Sequence, residues 1–310
     1  MKKLLLAAAS AAMLGASAAA MASATISFDR NGAAAGGVIQ VDTFDWRPDN
    51  ALAVSALGPS GIILSDPSMG VFNPFLVVAQ TRLNSFLEPG GGAALPLGTS
   101  EFTLVASFYE IAVGTAVSAV LSPFTALPSL IEIYYDPVAN SSQLAGTGYA
   151  DGTLILSGTV VGGSGAFTDL TRLAPLVFPT SALDQFGTDQ YPGVLTHQGN
   201  GSNSILVDVS FAHPSFFLSS ITSLMVDAQD TGNLVVPFAQ ANPAALVGGF
   251  VPVRGVGSIN GGDCAAMTTC DFQFQTDNAT TFNPVPEPGS LALLGIALAG
   301  LGFARRRGSK

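Results

Sequence analysis

The residues that could carry acid–base or nucleophilic chemistry are few. The chain has two histidines, His197 in the polar run His197-Gln198-Gly199-Asn200 and His213 before Pro214. A Ser/His/Asp relay needs an imidazole held against a nucleophile, and its members can come from distant parts of a chain. Its local signature, a G-x-S-x-G elbow, is missing. Glycosidic chemistry needs two carboxyl groups a set distance apart in space. Twenty carboxylates between residues 25 and 284 offer many pairs, and spacing along the chain singles out none. No catalytic residue is assigned from the sequence, and a non-enzymatic protein is the expectation.

Metal and disulfide chemistry were weighed in the same way. Asp29-Arg30-Asn31-Gly32, Asp151-Gly152 and Asp227-Ala228-Gln229-Asp230-Thr231-Gly232 join carboxylates to glycines. None completes a D-x-[DN]-x-[DN]-G loop with a distal Glu, so each reads as turn chemistry. The sequons at Asn140, Asn200 and Asn278 likewise read as turn residues. Cys264 and Cys270 flank a short loop after the glycine-rich Asn260-Gly261-Gly262-Asp263. A zinc centre wants four ligands and no histidine lies near, whereas an exported chain meets an oxidising compartment. A local Cys264–Cys270 disulfide is expected, with no metal and no cofactor.

The elements that would position such residues are strands. Period-two alternation broken by Gly, Pro and Asn dominates the middle of the chain. Candidate strands cover 38–44, 75–87, 101–113, 130–135, 153–161, 205–211, 234–238 and 272–276. Residues 75–87 place Phe75, Val77, Ala79, Leu83 and Leu87 on one face, and 101–113 place Phe102, Leu104, Ala106 and Phe108 likewise, as half-buried strands do. Strands follow one another without a convincing helix, so an all-β body is expected, an antiparallel sandwich or jelly-roll-like arrangement. A β-solenoid is the runner-up, disfavoured because no fixed-length repeat is present. Residues 175–203, rich in turn formers, read as a long functional loop or subdomain boundary.

The two ends read differently from the middle. Lys2-Lys3, the apolar stretch Leu4 to Ala20 and Ala22-Ser23-Ala24 form the three regions of a secretory signal peptide spanning 1–24. Residues 25–284 then form the secreted body, which keeps five arginines and no lysine against sixteen aspartates and four glutamates, a net charge of −15. A surface so short of cations excludes nucleic acid as a partner. At the far end, residues 285–310 run through Pro286-Glu287-Pro288, an apolar helical segment from Leu291 to Ala304, and Arg305-Arg306-Arg307. Fourteen helical residues span roughly 21 Å, short of the ~30 Å hydrocarbon layer, and the arginines would hold the extreme terminus in the cytoplasm.

That tail resembles the PEP-CTERM sorting signal of Gram-negative bacteria, with VPEPGSLALLGIALAGLGFARRR covering its three parts in order. The resemblance implies an exosortase as processing partner, cutting near Pro286, Glu287 and Pro288, and transient residence in the inner membrane through the apolar helix. It implies delivery to the cell surface or extracellular matrix, in company with exopolysaccharide. The body is similar to the flocculation-associated PEP-CTERM proteins in Ile131 to Asp136, Leu144 to Gly158 and Asp271 to Gln275. That likeness implies a protein that holds cells in an exopolysaccharide matrix, with no catalytic residue to carry over.

Two functions from different classes follow: a surface protein acting by contact, and a secreted carbohydrate-active hydrolase. Two facing carboxylates in a pocket flanked by aromatics would favour the hydrolase. A shallow, even surface would favour contact.

Overall fold

Alternating side chains bury one strand face only if the sheet finds something to cover it, and this chain covers its sheet largely with itself. The computed structural model describes residues 24–33, 36–58, 60–169, 181–182, 195–196, 199–232, 238–240 and 270–284. The strands are β1 (Ile26–Asp29), β2 (Val38–Val41), β3 (Thr43–Trp46), β4 (Asp49–Gly58), β5 (Gly61–Ile62), β6 (Phe75–Leu87), β7 (Ala94–Leu95) and β8 (Glu101–Gly114). They continue with β9 (Ser118–Pro123), β10 (Leu130–Asp136), β11 (Thr153–Asp169), β12 (Ser181–Ala182), β13 (Leu195–Thr196), β14 (Gly199–Ala212), β15 (Ile221–Thr231) and β16 (Cys270–Pro284). Among the described residues the only helical element is one short 3-10 turn, Pro67–Met69. The all-β, antiparallel, sandwich-like body expected from the sequence is present.

The ladders close on themselves. β3 and β4 lie end to end between β16 and β6, and β9 and β10 lie end to end between β8 and β11. Counting each of these as one position, the ring runs β3/β4, β6, β8, β9/β10, β11, β14, β15, β16 and back to β3/β4. Every ladder in it is antiparallel, and each position pairs with the next in chain order. Closure pairs both sides of every strand in the ring and so removes the exposed edges on which strand proteins aggregate. The break between β3 and β4 falls at Arg47-Pro48, where proline has no N–H to give a ladder. β11 bends through bulges at Ser157/Gly158 and Val160/Gly162. Gly163 follows the second with φ +136°, and a Cβ there would meet the Ser204 carbonyl oxygen at 2.2 Å, so only glycine fits the bend.

One end of the ring is plugged by phenylalanines. The hairpin β1–β2 carries Phe28 over that end, where its ring lies 5.0 Å from Phe44, 5.3 Å from Phe86, 5.8 Å from Phe102 and 5.1 Å from Phe217. Phe28, Phe44, Phe86, Phe102 and Phe282 are all fully buried. Such tilted and edge-on contacts add about 0.5–1.5 kcal/mol per pair beyond the area buried. The indole N–H of Trp46, also in this core, donates to Thr280 Oγ1 at 2.9 Å.

β6 and β8 depart from the half-buried expectation, because nearly all their residues on both faces are buried. The outward face is covered by a second layer. Tyr149 packs on Val105, and Phe238 packs on Leu52, Leu76 and Val78. Glu101 anchors the covering loop by accepting from the backbone N–H of Asn140 (3.1 Å) and Ser141 (3.0 Å) and from the Ser141 hydroxyl. Thr103 donates to the Tyr149 carbonyl at 2.7 Å, and Gln80 Nε2 donates to the Ala239 carbonyl at 2.6 Å. These bonds explain why polar Glu101, Thr103 and Gln80 can sit buried on an outer face.

Several local readings are corrected. Asp227 to Thr231 belong to strand β15 rather than a turn, and Asn200 and Asn278 lie in β14 and β16. Asn278 is buried and accepts a hydrogen bond from Thr276 at 2.9 Å. The turn at Asp29-Arg30-Asn31-Gly32 stands, with Asn31 N–H bonded to Asp29 Oδ1 at 3.1 Å and Gly32 at φ +65°. The signal peptide up to Ser23, the expected strand at 234–237, most of the 175–203 loop and the tail from Val285 lie outside the described residues. So does Cys264, and with it the Cys264–Cys270 pairing.

Candidate functional site

Two places on this body can carry function: the ring interior at the end opposite the phenylalanine plug, and the end from which the tail departs. The interior site begins with Glu110 on β8. It has the same parity as Phe102, Leu104, Ala106 and Phe108, so the alternation that buries those side chains also turns a carboxylate inward. Asp230 has the parity of Leu224, Val226 and Ala228 on β15, and Asn203 that of Ile205 and Val207 on β14. β8 and β15 are four positions apart in a ring of eight, so Glu110 and Asp230 project from opposite walls.

A cavity of about 40 Å³ lies between them, with Glu110, Asn203 and Asp230 in its lining beside Phe75, Phe167, Phe272 and Phe274. A neighbouring cavity of about 50 Å³ shares Asn203 and Asp230. Asn203 Nδ2 donates to Asp230 Oδ2 at 3.2 Å. Glu110 Oε1, Asp230 Oδ1 and Asn203 Oδ1 are buried without a hydrogen-bond partner. Burial lifts the Glu110 carboxyl to about 8, with the negative charge of Asp230 adding to the effect. Burial lifts Asp230 to about 6, against the hydrogen bond from Asn203 that favours its ionised form.

A further raised carboxylate, Asp49, lies on the outer layer. Asp49 accepts from the buried Tyr149 hydroxyl at 3.3 Å and feels the positive charge of Arg82, yet burial still lifts it to about 6. Burial and the Asp49 charge together push the Tyr149 phenol well above its ordinary range. The pair pins the covering layer to β4.

The outer surface carries an aromatic pair on the loops beside β6 and β9. The rings of Phe72 and Phe124 lie 5.4 Å apart beside the exposed Met69 and Val71, and Phe72 is itself 45% exposed. Of the two histidines, His213 is described: its Nδ1 accepts from Ser215 N–H at 3.3 Å, and its ring meets Phe216 at 5.5 Å. It sits at the plugged end, away from Glu110 and Asp230. His197 lies outside the described residues.

At the plugged end the first described residues meet the end of the last strand. β16 ends at Pro284, paired with Ile221 on β15, and the backbone N–H of Ala24 donates to the Phe282 carbonyl at 3.3 Å. The body is thus a closed, antiparallel β structure that hands the chain from its last strand straight to the tail.

Residues 284–307 match the family model of the PEP-CTERM protein-sorting motif. The matched range begins at the last residue of β16 and spans Pro286, Glu287 and Pro288 as well as Arg305, Arg306 and Arg307. No curated protein and no solved structure matches the chain. The chain carries a PEP-CTERM sorting signal: it is an exported protein, processed by an exosortase and directed to the cell surface or the extracellular space.

Proposed function

We propose that the exported body acts without catalysis, by contact with exopolysaccharide, and so promotes flocculation or biofilm aggregation. The observation that carries this reading is the continuity of β16 with the sorting motif, which delivers a folded β body built on a closed ring to the outside of the cell. The segments that resemble the flocculation-associated proteins support it. They fall on β10, on the covering loop with β11, and on β16. The inner membrane is a transient partner, through the tail helix, before processing.

A body of net charge −15 repels an anionic polymer at long range, so contact must use hydroxyl, amide and aromatic groups or bridging cations. The Phe72–Phe124 pair, with Phe72 exposed and Phe124 half-buried, offers an apolar face of the kind on which a sugar ring can stack. Deleting the protein should disperse aggregated cells while polysaccharide synthesis continues. If bridging cations matter, a chelator should mimic the deletion and calcium should reverse it. Normal flocculation of the deletion strain would overturn the proposal.

A secreted carbohydrate-active hydrolase is the second reading, and Glu110 facing Asp230 among four phenylalanines is the observation that favours it. Size weighs against it. A cavity of about 150 Å³ accommodates benzene, whereas 40 Å³ holds a few waters and no sugar ring. Hydrolysis of a matrix glycan by the purified protein, abolished by Glu110→Gln, would replace the contact reading with this one.

A further inference from the structure

Two carboxylates and an amide oxygen line the ring interior, and among the described residues no positive group lines it with them. Glu110 is 2% exposed and Asp230 7% exposed, and one oxygen of each lacks a partner, as does Asn203 Oδ1. All three are acceptors. The described arginines are Arg30, Arg47 and Arg82, and none lines either cavity. Without a cation, burial keeps the Glu110 proton on to about pH 8, because ionising both carboxylates is costly and nearby hydrogen bonds do not cancel the resulting net charge of two. A single monovalent donor would leave half of it.

We propose that this cluster binds a divalent cation, calcium, through Glu110, Asp230 and the Asn203 side-chain oxygen. One such ion neutralises both carboxylates. The donor set consists of hard oxygens, the chemistry calcium takes, and the cavity walls bring no thiolate or imidazole that zinc would prefer. Among the described residues no group of three or more His, Cys, Asp or Glu gathers, so the shell draws on the amide oxygen and on water. A space of about 40 Å³ beside the carboxylates has room for that water, at roughly 10–15 Å³ for each. The surrounding phenylalanines keep bulk water away, which strengthens the attraction between ion and carboxylates. The site lies inside the ring and tethers the β8 wall to the β14 and β15 walls. Its role is to stabilise the body, separate from any cation that bridges the outer surface to a glycan.

The test uses the secreted protein isolated from culture, stripped with chelator and returned to calcium at about 1 mM, the range of extracellular calcium modules. The melting temperature should rise with calcium and fall again with chelator. Equilibrium dialysis should find one more bound ion in the native protein than in Glu110→Gln or Asp230→Asn, both of which should lose the calcium-dependent shift. Asp208→Asn, an exposed carboxylate on β14, should keep it. Binding should tighten from pH 6 to pH 8, because protons compete for the same carboxylates. A melting temperature equal in calcium and chelator would overturn the proposal. So would a calcium shift that survives in both Glu110→Gln and Asp230→Asn. If a variant does not fold, the native protein's dialysis at the two pH values decides: binding with no preference for the higher pH rejects the carboxylate pair as the site.

Discussion

The Ala24 backbone N–H donates to the Phe282 carbonyl at 3.3 Å, which brings the start of the described chain against the last turn of the strand that leads into the sorting motif. Both processing regions therefore border one end of the body, the end closed by the Phe28 plug. Cleavage before Thr25 and near Pro286 removes the Ala24 bond but falls outside β1 and β16, so the strand ladders stay whole.

Processing should accordingly leave a mature protein that begins near Thr25 and lacks Arg305 to Arg307. Mass measurement of both termini on surface material checks this, and recovery of an intact C-terminus would contradict it. Glu287→Ala should hold the protein in the membrane fraction if the Pro286-Glu287-Pro288 turn is what the protease reads. Normal release of that variant would place recognition elsewhere in the tail.

The long strands were readable because alternation is strong where one face meets a core. β6 covers Phe75–Leu87 as the pattern predicts, and the expected strands beginning at Leu130 and Thr153 start there. β15 was not readable, because Asp227 to Gly232 has turn composition, and only ring closure reveals Asp230 as an inward residue. Glu110 did leave a signal, a carboxylate at the parity of four apolar residues on one strand, while its partner across the barrel left none. The burial of the outer faces of β6 and β8 depends on Tyr149 and Phe238, far away in sequence, which no local pattern can announce.

Removing the plug should be costly. Phe28 is fully buried and touches five aromatic rings, so Phe28→Ala leaves a cavity at the seam between the β1–β2 hairpin and the ring. A loss of about 3–5 kcal/mol is expected from denaturant unfolding. A loss below about 1 kcal/mol would mean that the hairpin is an ornament rather than a closure.

Cys264 and Cys270 should be joined in the exported protein, and thiol labelling under denaturing conditions should find neither free. A loop that short contributes only about 2 kcal/mol by chain entropy, so reduction should lower the melting temperature without unfolding the body. Unfolding on reduction would show that the closed ring is not self-sufficient.

Stability should fall as pH rises, the reverse of the usual behaviour of a protein rich in carboxylates. Burial raises Asp49 and Asp230 from an ordinary 3.8 to about 6, and raises Glu110 from 4.5 to about 8. A raised carboxyl binds its proton more tightly in the folded state than in the unfolded one. Between the two values the folded protein therefore carries more protons, and the unfolding free energy declines with pH. The contribution is complete below the unfolded values. It is lost through about pH 6 for the two aspartates and through about pH 8 for Glu110. Urea unfolding midpoints, taken in chelator so that no cation replaces the protons, should fall from pH 5 to pH 9. Glu110→Gln cannot ionise, so it should make the fall shallower from pH 5 to about pH 6, where Asp49 and Asp230 still contribute, and flatten it from about pH 6 to pH 8. A midpoint that climbs between pH 5 and pH 8 would show that these carboxylates are already ionised in the fold, with a positive partner close by.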